Sequence, residues 1–201
     1  MTIDEGYIKF NCKWQEKPFE SGIEIQQLID FRNRVRKCGL IGVYDNGIGY
    51  GNVSQRYIDN SFYISGSATG TIDSATQNHF SLVNSYNVRQ NHVHCEGPSK
   101  ASSESMSHAA IYASLDWVQV VLHIHDMEFW ETNKGILPST IQEAAYGTPE
   151  MALSIKEVLS KPVNVDRRII IMSGHEEGIL LYGKDFDEVW NLLINFGLNL
   201  P

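Results

Sequence analysis

The chain has 201 residues and a formal net charge of −8, with 42% hydrophobic and 20% charged residues. This length and composition suit one globular domain with a sizeable core, so we expect residues 1–201 to form a single domain. The acidic balance argues against general nucleic-acid binding, which needs a basic surface, although it does not exclude an anionic small substrate. No apolar stretch approaches the ~20 residues of a membrane span.

The cysteines and the N-terminal segment bear on the expected compartment. Cys12, Cys38 and Cys95 are odd in number and widely spaced, which argues against a disulfide framework. Residues 1–9 lack a charged-then-apolar signal pattern. We therefore expect a reducing, cytoplasmic environment.

The first half of the chain predicts one helix followed by strands. Apolar residues at Ile25, Leu28 and Ile29 predict a helix over Ile23–Cys38 with an Arg/Lys-rich outer face, ended by Gly39. The other expected elements of this half are a short β element near Tyr7–Phe10, a glycine-rich segment over Gly42–Asn52, strands at Val53–Tyr57 and Ser61–Ser65, and a loop at Gly66–Gly70.

The second half alternates strands and helices. Ser102 or Ser103 is expected to cap a helix from Glu104 to about Ala113, and Thr148-Pro149-Glu150 begins a helix that runs to about Ser160. The other expected elements are strands at Phe80–Val83, Ile169–Met172 and Gly178–Tyr182 and a helix at Phe186–Asn195. This interspersed order predicts an α/β or α+β fold built on one sheet.

Two histidines end the apolar run Val118–His125. Because residues i and i+2 of a strand point to the same face, His123 and His125 can aim at one point. His175 follows a second apolar run and can supply a third imidazole. Three imidazoles with an open fourth position are the ligands of a catalytic zinc site. An isolated histidine is more often a satisfied core or surface residue, but a buried pair needs partners for both rings.

A rival pattern lies at His92 and His94, which Cys95 and Glu96 follow. Taken alone, it is equally typical of a metal site. Its polar, turn-like flanks favour a solvated edge, and a second metal there stays open.

Glu104 and His108 are four residues apart and share one face of the predicted helix. The spacing is compatible with a carboxylate and an imidazole beside the metal. It is equally compatible with a surface ion pair.

Six short motifs then follow one another along the chain: Gly51-Asn52-Val53-Ser54, Thr69-Gly70, Pro98–Glu104, His123-Ile124-His125, Tyr146–Glu150 and Gly174-His175. In this order they resemble the class II aldolase/adducin family, which includes fuculose-phosphate and rhamnulose-phosphate aldolases and ribulose-phosphate 4-epimerase. The resemblance covers about Ile25 to Trp190.

The resemblance implies a three-layer α/β/α fold with a largely antiparallel central sheet and a homotetramer with the site near the subunit interface. It implies a divalent metal, usually zinc, held by His123, His125 and His175. Glu104 would be the catalytic acid/base and would also ligate the metal when substrate is absent. The family's phosphate-binding positions correspond to Gly51, Asn52, Thr69, Gly70, Ser102 and Ser103. Glycines allow backbone N–H groups to approach an anion closely, and the hydroxyl and amide side chains add neutral donors. Each loop taken alone is also compatible with ordinary turn chemistry.

The reaction implied is aldol cleavage of a small phosphorylated ketose through a metal-stabilised enediolate, with Glu104 moving the proton. A sugar-phosphate epimerase or dehydratase using the same chemistry is the alternative. A non-catalytic metal-binding, adducin-like module is the alternative of a different class.

Two segments depart from the family pattern. The stretch from Asp126 to Ala145 is shorter, bulkier and more acidic than the resemblance implies. The family often uses a tyrosine acid from a longer C-terminal region of the adjacent subunit, and no tyrosine follows Tyr182 here. Asp126, Glu128 and Glu131 are candidate replacements in proton transfer because they follow His125 closely.

Overall fold

An eight-stranded sheet dominates the computed structural model, which describes residues 8–20 and 22–198. The strands are β1 (Asn11–Glu16), β2 (Gly42–Val43), β3 (Gly49–Tyr50), β4 (Asn52–Arg56), β5 (Phe62–Ser65), β6 (Phe80–Asn87), β7 (His92–Gly97), β8 (Val120–His125), β9 (Ile169–Ile171) and β10 (Gly178–Gly183). The helices are α1 (Gln26–Lys37), α2 (Ser105–Ser114), α3 (Met127–Asn133), α4 (Pro149–Leu159), α5 (Pro162–Val165) and α6 (Phe186–Asn195).

The strand order of the large sheet is β1-β7-β6-β5-β4-β8-β10-β9. Among the described strands, β1 and β7 pair in parallel and the other neighbours in this sheet pair antiparallel. β2 and β3 form a separate two-stranded hairpin. The predicted largely antiparallel central sheet is thereby confirmed.

Each face of the sheet carries its own hydrophobic core. On one face, α2 and α4 contribute Met106 and Met151 to a buried cluster with β-strand residues. On the other face, α1 and α6 contribute Leu28 and Leu193 to a second cluster. Helix, sheet and helix thus form the three predicted layers, because the central strands β5, β8 and β10 are buried along their whole length and so on both faces.

Several local predictions are confirmed by their capping interactions. The Thr148 side chain accepts a hydrogen bond from the Met151 N–H, and Pro149 occupies the first turn of α4. α6 has the predicted bounds and is capped by Asp185. α1 ends before Gly39, whose positive φ of 75° suits glycine. α2 begins one residue later than predicted, and the cap predicted at Ser102 or Ser103 is wrong, because Glu104 is the N-cap residue. The Ser102 Oγ instead accepts from the N–H of Glu104 itself at 3.2 Å.

The sheet-edge position predicted for His92 and His94 is wrong. Of the β element expected at Tyr7–Phe10, Tyr7 lies outside the described residues and residues 8–10 are not in a strand. The first described strand, β1, instead pairs in parallel with β7 and covers it on the side away from β6. His92 and His94 therefore lie on an interior strand rather than at an edge of the sheet, with half-buried side chains.

The cysteines are reduced thiols in the structure. Cys12 on β1 and Cys95 on β7 are close, with their Sγ atoms 3.6 Å apart, but they form no disulfide. None of the helices within residues 8–20 and 22–198 has the length and apolar character to cross a bilayer.

Candidate metal centre and adjoining polar cleft

Three buried imidazoles meet at the end of β8. His123 and His125 lie on the same face of that strand, and His175 lies in the turn between β9 and β10. The Nε2 atom of His125 is 3.1 Å from that of His123 and 2.9 Å from that of His175. The convergence that the His-x-His spacing predicts is thus present, and the three form a group whose ligand atoms all lie within 4.8 Å of one another.

The hydrogen bonding of His123 and the lowered pKa values of His123 and His125 favour a cation between the rings. The Nδ1 atom of His123 is 3.2 Å from the Ile179 carbonyl oxygen, which can only accept, so Nδ1 carries the proton and Nε2 a lone pair. Burial, reinforced by neighbouring His175, holds the pKa of His123 and His125 well below the usual range, so both rings are neutral at pH 7. Neutral imidazole nitrogens converging in a buried site are the donors that zinc and similar divalent metals take, so these residues fit such an ion.

Glu104 borders the histidine group on the other side of His175. It is the buried N-cap residue of α2, and its Oε2 atom accepts a hydrogen bond of 2.6 Å from the Ser107 hydroxyl. Its Oε1 atom is 3.8 Å from the Nδ1 atom of His175, the ring nitrogen opposite the converging Nε2. The structure therefore places the carboxylate next to a candidate ligand. Its roles as acid/base and as metal ligand stay predictions.

His108 is buried, so the surface ion pair considered for Glu104 and His108 is wrong. Its Nδ1 atom is 2.7 Å from the Ser54 Oγ, which is itself 2.8 Å from the Tyr112 hydroxyl. This network joins β4 to α2 beneath the site. Burial lowers the pKa of His108 to about 3.

A polar cleft opens beside the histidines. All six residues predicted to bind phosphate line it, together with Glu104, His123 and His175. The lining also includes Gly49, Tyr50, Gly66, Ser67, Ala68 and Tyr146, for which the sequence predicts no role in the site. The structure thus brings the predicted anion-binding loops and the imidazoles to one cavity.

Two arginines of α1 hold the loop that carries Thr69 and Gly70. Arg32 donates to the carbonyl oxygens of Thr69, at 2.6 Å, and Ile72. Arg36 donates to the Gly70 carbonyl oxygen at 3.1 Å. The predicted Arg/Lys-rich outer face of this helix is therefore wrong for Arg32, which is fully buried. Burial and the charge of Arg36 lower the pKa of Arg32 to about 10, so it remains a cation at pH 7.

The β2–β3 hairpin brings two tyrosines to His125. The Tyr44 hydroxyl is 2.7 Å from the His125 Nδ1 atom and donates to Glu177 Oε2 at 2.6 Å. The Tyr50 ring centroid is 5.4 Å from that of His125. The dipeptide Asn46-Gly47 between short β-prone segments is the hairpin signal in this glycine-rich stretch. It indicates the turn, but it does not indicate which strand the tyrosines approach.

The other candidates from the sequence lie away from this cavity. Asp126 caps α3 by accepting from the Phe129 N–H at 2.9 Å. Glu128 and Glu131 are exposed on that helix and do not line the cleft.

The rings of His92 and His94 stack, with their centroids 4.2 Å apart. Cys95 has the opposite position in the alternating burial pattern of β7. The rival His-x-His-Cys set therefore diverges. Within the described part of the chain, His123, His125 and His175 form the one group of three or more candidate ligands.

Fold and site together define the class: a three-layer α/β/α protein with a buried three-histidine centre beside a polar cleft. Residues 44–130 match the family described as Class II Aldolase and Adducin N-terminal domain. The chain thus resembles the class II aldolase/adducin family, as the order of its motifs predicts. No curated protein sequence gives a significant match.

Solved structures share the fold at low sequence identity. An L-fuculose 1-phosphate aldolase is similar with a TM-score of 0.62 and 19% identity, and 91% of each chain is covered. A sugar-phosphate aldolase from Thermotoga maritima has a TM-score of 0.57 and 14% identity over 85% of this chain and 94% of that one. L-fuculose 1-phosphate aldolase from Glaciozyma antarctica has a TM-score of 0.56 and 18% identity over 90% of this chain and 75% of that one. At these identities the likeness establishes the fold.

Proposed function

We propose that this protein is a metal-dependent lyase that cleaves a small phosphorylated ketose in an aldolase-type reaction. The observation that carries the proposal is a juxtaposition. Glu104 and two of the three converging imidazoles, His123 and His175, line the same cleft as the glycine and hydroxyl loops. A ligand with both a phosphate group and a carbonyl or hydroxyl pair can then contact the two halves of the cavity at once.

The phosphate half of the cleft relies on neutral donors. Gly51 has a φ of 72°, which favours glycine, and it precedes buried Asn52. The Thr69 carbonyl points at Arg32, and the N–H of Gly70 in the same planar peptide therefore points the opposite way. Such an N–H, together with the serine hydroxyls that line the same cleft, is a suitable donor for an anion. Arg32 adds a buried positive charge behind the loop, whereas Arg36 is paired with Asp73 at 3.0 Å, so the loop can attract an anion despite the net charge of −8.

The reacting half of the cleft centres on the imidazoles and Glu104. His123, His125 and His175 would hold a divalent metal, with zinc our first choice. A metal bound there supplies Lewis-acid stabilisation of the enediolate charge that C–C cleavage produces. Glu104 would accept and return a proton at its carboxyl group. The Ser107 hydroxyl orients that group by donating to Oε2.

Metal analysis tests the centre. Purified protein should hold about one divalent metal per chain. His123→Ala and His175→Ala should lose it, with His92→Ala as a matched control from the other His-x-His pair. Unchanged metal content in the first two variants would place the metal elsewhere.

L-Ribulose 5-phosphate is tested by chromatography of its products, because C3–C4 cleavage would leave its phosphate on the aldehyde fragment. Activity on L-fuculose 1-phosphate and L-rhamnulose 1-phosphate is tested by enzymatic detection of dihydroxyacetone phosphate. Its release supports aldol cleavage, and Glu104→Gln should reduce kcat by roughly 10²–10⁴-fold with metal content retained. Isomerised sugar without cleavage would identify an epimerase, and loss of water a dehydratase. A metal-loaded protein that turns over none of these sugars would support a binding module.

We also propose that residues 1–201 act as one aldolase-like domain in a homo-oligomer, with a tetramer expected by resemblance. Light scattering coupled to size-exclusion chromatography tests the assembly. The free cysteines fit a reducing compartment, so we propose a cytoplasmic location.

A further inference from the structure

The Tyr44 hydroxyl bridges a carboxylate and the edge of the histidine group. It lies 2.6 Å from Glu177 Oε2 and 2.7 Å from the Nδ1 atom of His125. Glu177 also approaches the imidazole directly, with Oε2 3.6 Å from Nδ1. The Nε2 atom on the other side of the same ring faces His123 and His175. The contact therefore acts on the ring nitrogen that points away from the candidate metal position.

When Glu177 is ionised, only one placement of protons satisfies both hydrogen bonds of the Tyr44 hydroxyl. A carboxylate only accepts, so the single hydroxyl proton of Tyr44 goes to Glu177. The phenolic oxygen then accepts from His125, which requires the proton on Nδ1. Neutral imidazole has one N–H, so Nε2 is left with a lone pair directed at the other two rings.

We propose that Tyr44 and Glu177 are positioning residues that fix His125 in its Nδ1–H tautomer and hold its ring for metal binding. This inference rests on the proposed metal centre. A carboxylate or other acceptor bonded to the remote nitrogen of a metal-binding imidazole fixes its orientation and raises its basicity. Here a tyrosine hydroxyl transmits that effect from the carboxylate.

Two separate segments hold this pair in place. Tyr44 belongs to the β2–β3 hairpin, where its N–H donates to the Ile48 carbonyl and its carbonyl accepts from the Gly47 N–H. Glu177 lies in the same β9–β10 turn as His175, and its carbonyl accepts from the Asp126 N–H. The turn that brings the third imidazole to the centre thus also brings the carboxylate that supports the second.

Tyr44→Phe tests the role of the hydroxyl while keeping the ring. Tyr50→Phe is the matched control, because Tyr50 also packs on His125 but its hydroxyl donates to the Gly39 carbonyl at 2.9 Å. Zinc affinity is measured by competition with a chromophoric chelator. We expect Tyr44→Phe to bind zinc roughly 10- to 100-fold more weakly and Tyr50→Phe to stay near wild type. Equal affinities for Tyr44→Phe and wild type would overturn the proposal.

The carboxylate is tested with a second matched pair. Glu177→Gln should weaken zinc binding on the order of tenfold, because a neutral amide oxygen is a poorer acceptor than a carboxylate. Glu176→Gln removes the same charge from the adjacent, exposed position and should leave affinity unchanged. Equal losses in both variants would indicate a general charge effect and would overturn the specific role of Glu177.

Nitrogen-15 NMR of the metal-free protein, read at His125, separates this inference from the proposed metal centre. The Nδ1–H tautomer should predominate in wild type and in Tyr50→Phe, and Tyr44→Phe should show a shift toward the other tautomer. An Nε2–H ring in wild type would overturn the inference even if metal binds. If the tautomer is as expected but wild type binds no zinc, the proposed metal centre is wrong. The inferred role of Tyr44 and Glu177 in metal binding is then wrong as well. Absence of lyase activity alone would contradict neither the His125 tautomer nor zinc binding.

Discussion

Arg32 on α1 and Thr69 in the cleft loop are joined by a hydrogen bond of 2.6 Å from the guanidinium Nη2 to the carbonyl oxygen. Arg32 is fully buried and also donates to the Ile72 carbonyl. One cation therefore ties the helix to both ends of a four-residue turn, in which the Ile72 N–H bonds back to the Thr69 carbonyl. The conformation of the proposed anion-binding loop depends on this side chain.

Replacing Arg32 by methionine should destabilise the protein by about 2–4 kcal/mol, because two part-buried carbonyls lose charge-assisted donors. Urea denaturation measures the loss. Lys37→Met removes the same charge from an exposed position on the same helix and should change stability by less than about 0.5 kcal/mol. Similar stabilities for the two variants would show that the loop does not depend on Arg32.

Gly70 is constrained by its contact with the hairpin. A Cβ atom at this position would lie 2.0 Å from the Gly42 carbonyl oxygen, whereas one at neighbouring Gly49 would meet ordinary contacts of 3.4 Å and more. Gly70→Ala must therefore shift backbone and should cost about 1–3 kcal/mol. It should also weaken competition by inorganic phosphate in the activity assay. Gly49→Ala is the control and should change stability and phosphate competition much less. Thermal melting measures the first, and inhibition by inorganic phosphate measures the second. Equal effects of the two substitutions would contradict the close approach.

The lowered pKa of His108 predicts that the folded protein is less stable in acid. Its pKa is about 3 in the folded protein against 6.5 for an unperturbed imidazole, so the unfolded chain binds the extra proton between these values. Stability is therefore complete above pH 6.5 and falls as the pH drops toward 3, by about 2 kcal/mol from this residue between pH 7 and 5.

The measurement is urea denaturation of metal-free protein at both pH values. His108→Gln should lose about 2 kcal/mol less than wild type on acidification. Tyr112→Phe breaks the same Ser54 network but keeps the imidazole, so it should retain the wild-type pH dependence. An unchanged acid response in His108→Gln would show that this ring is protonated at little cost.

The parts of the site that the sequence predicts are those set by local periodicity. His123 and His125 share a face because they are two residues apart on one strand, and the sequence alone requires this once the strand is predicted. Thr148 and Pro149 begin α4 for equally local reasons. The order of motifs adds His175, which no spacing connects to the pair.

The parts that the sequence misses depend on long-range contacts. Tyr44 and Glu177 are separated by 133 positions and meet only because β8 and β10 are neighbours and the hairpin folds over them. The interior position of β7 depends on β1, whose own strand pattern is weak. The helical pattern predicts that Arg32 is exposed to solvent. Its burial is favourable only because the loop at Thr69 supplies carbonyl acceptors for the guanidinium.

Glu177 is held in a conformation that favours glycine, with a φ of 64°. A non-glycine residue there costs about 1 kcal/mol or more. Glu177→Gly should relieve that cost, since the backbone bond from Asp126 to the residue 177 carbonyl does not need the side chain. It should also remove the carboxylate that accepts from Tyr44. We therefore expect the metal-free variant to be as stable as wild type or more so, by up to about 1 kcal/mol, while zinc binding weakens roughly 10- to 100-fold.

Asp59→Gly provides the matched control, because Asp59 also has a positive φ, of 52°, but lies in the β4–β5 turn away from the histidines. It should keep or gain stability with no change in zinc affinity. Urea denaturation and chelator competition on the same samples measure both quantities. Opposite signs for stability and affinity in Glu177→Gly would show that the side chain is retained for the metal centre at the expense of backbone strain. Lower stability with unchanged affinity would instead make Glu177 a purely structural residue.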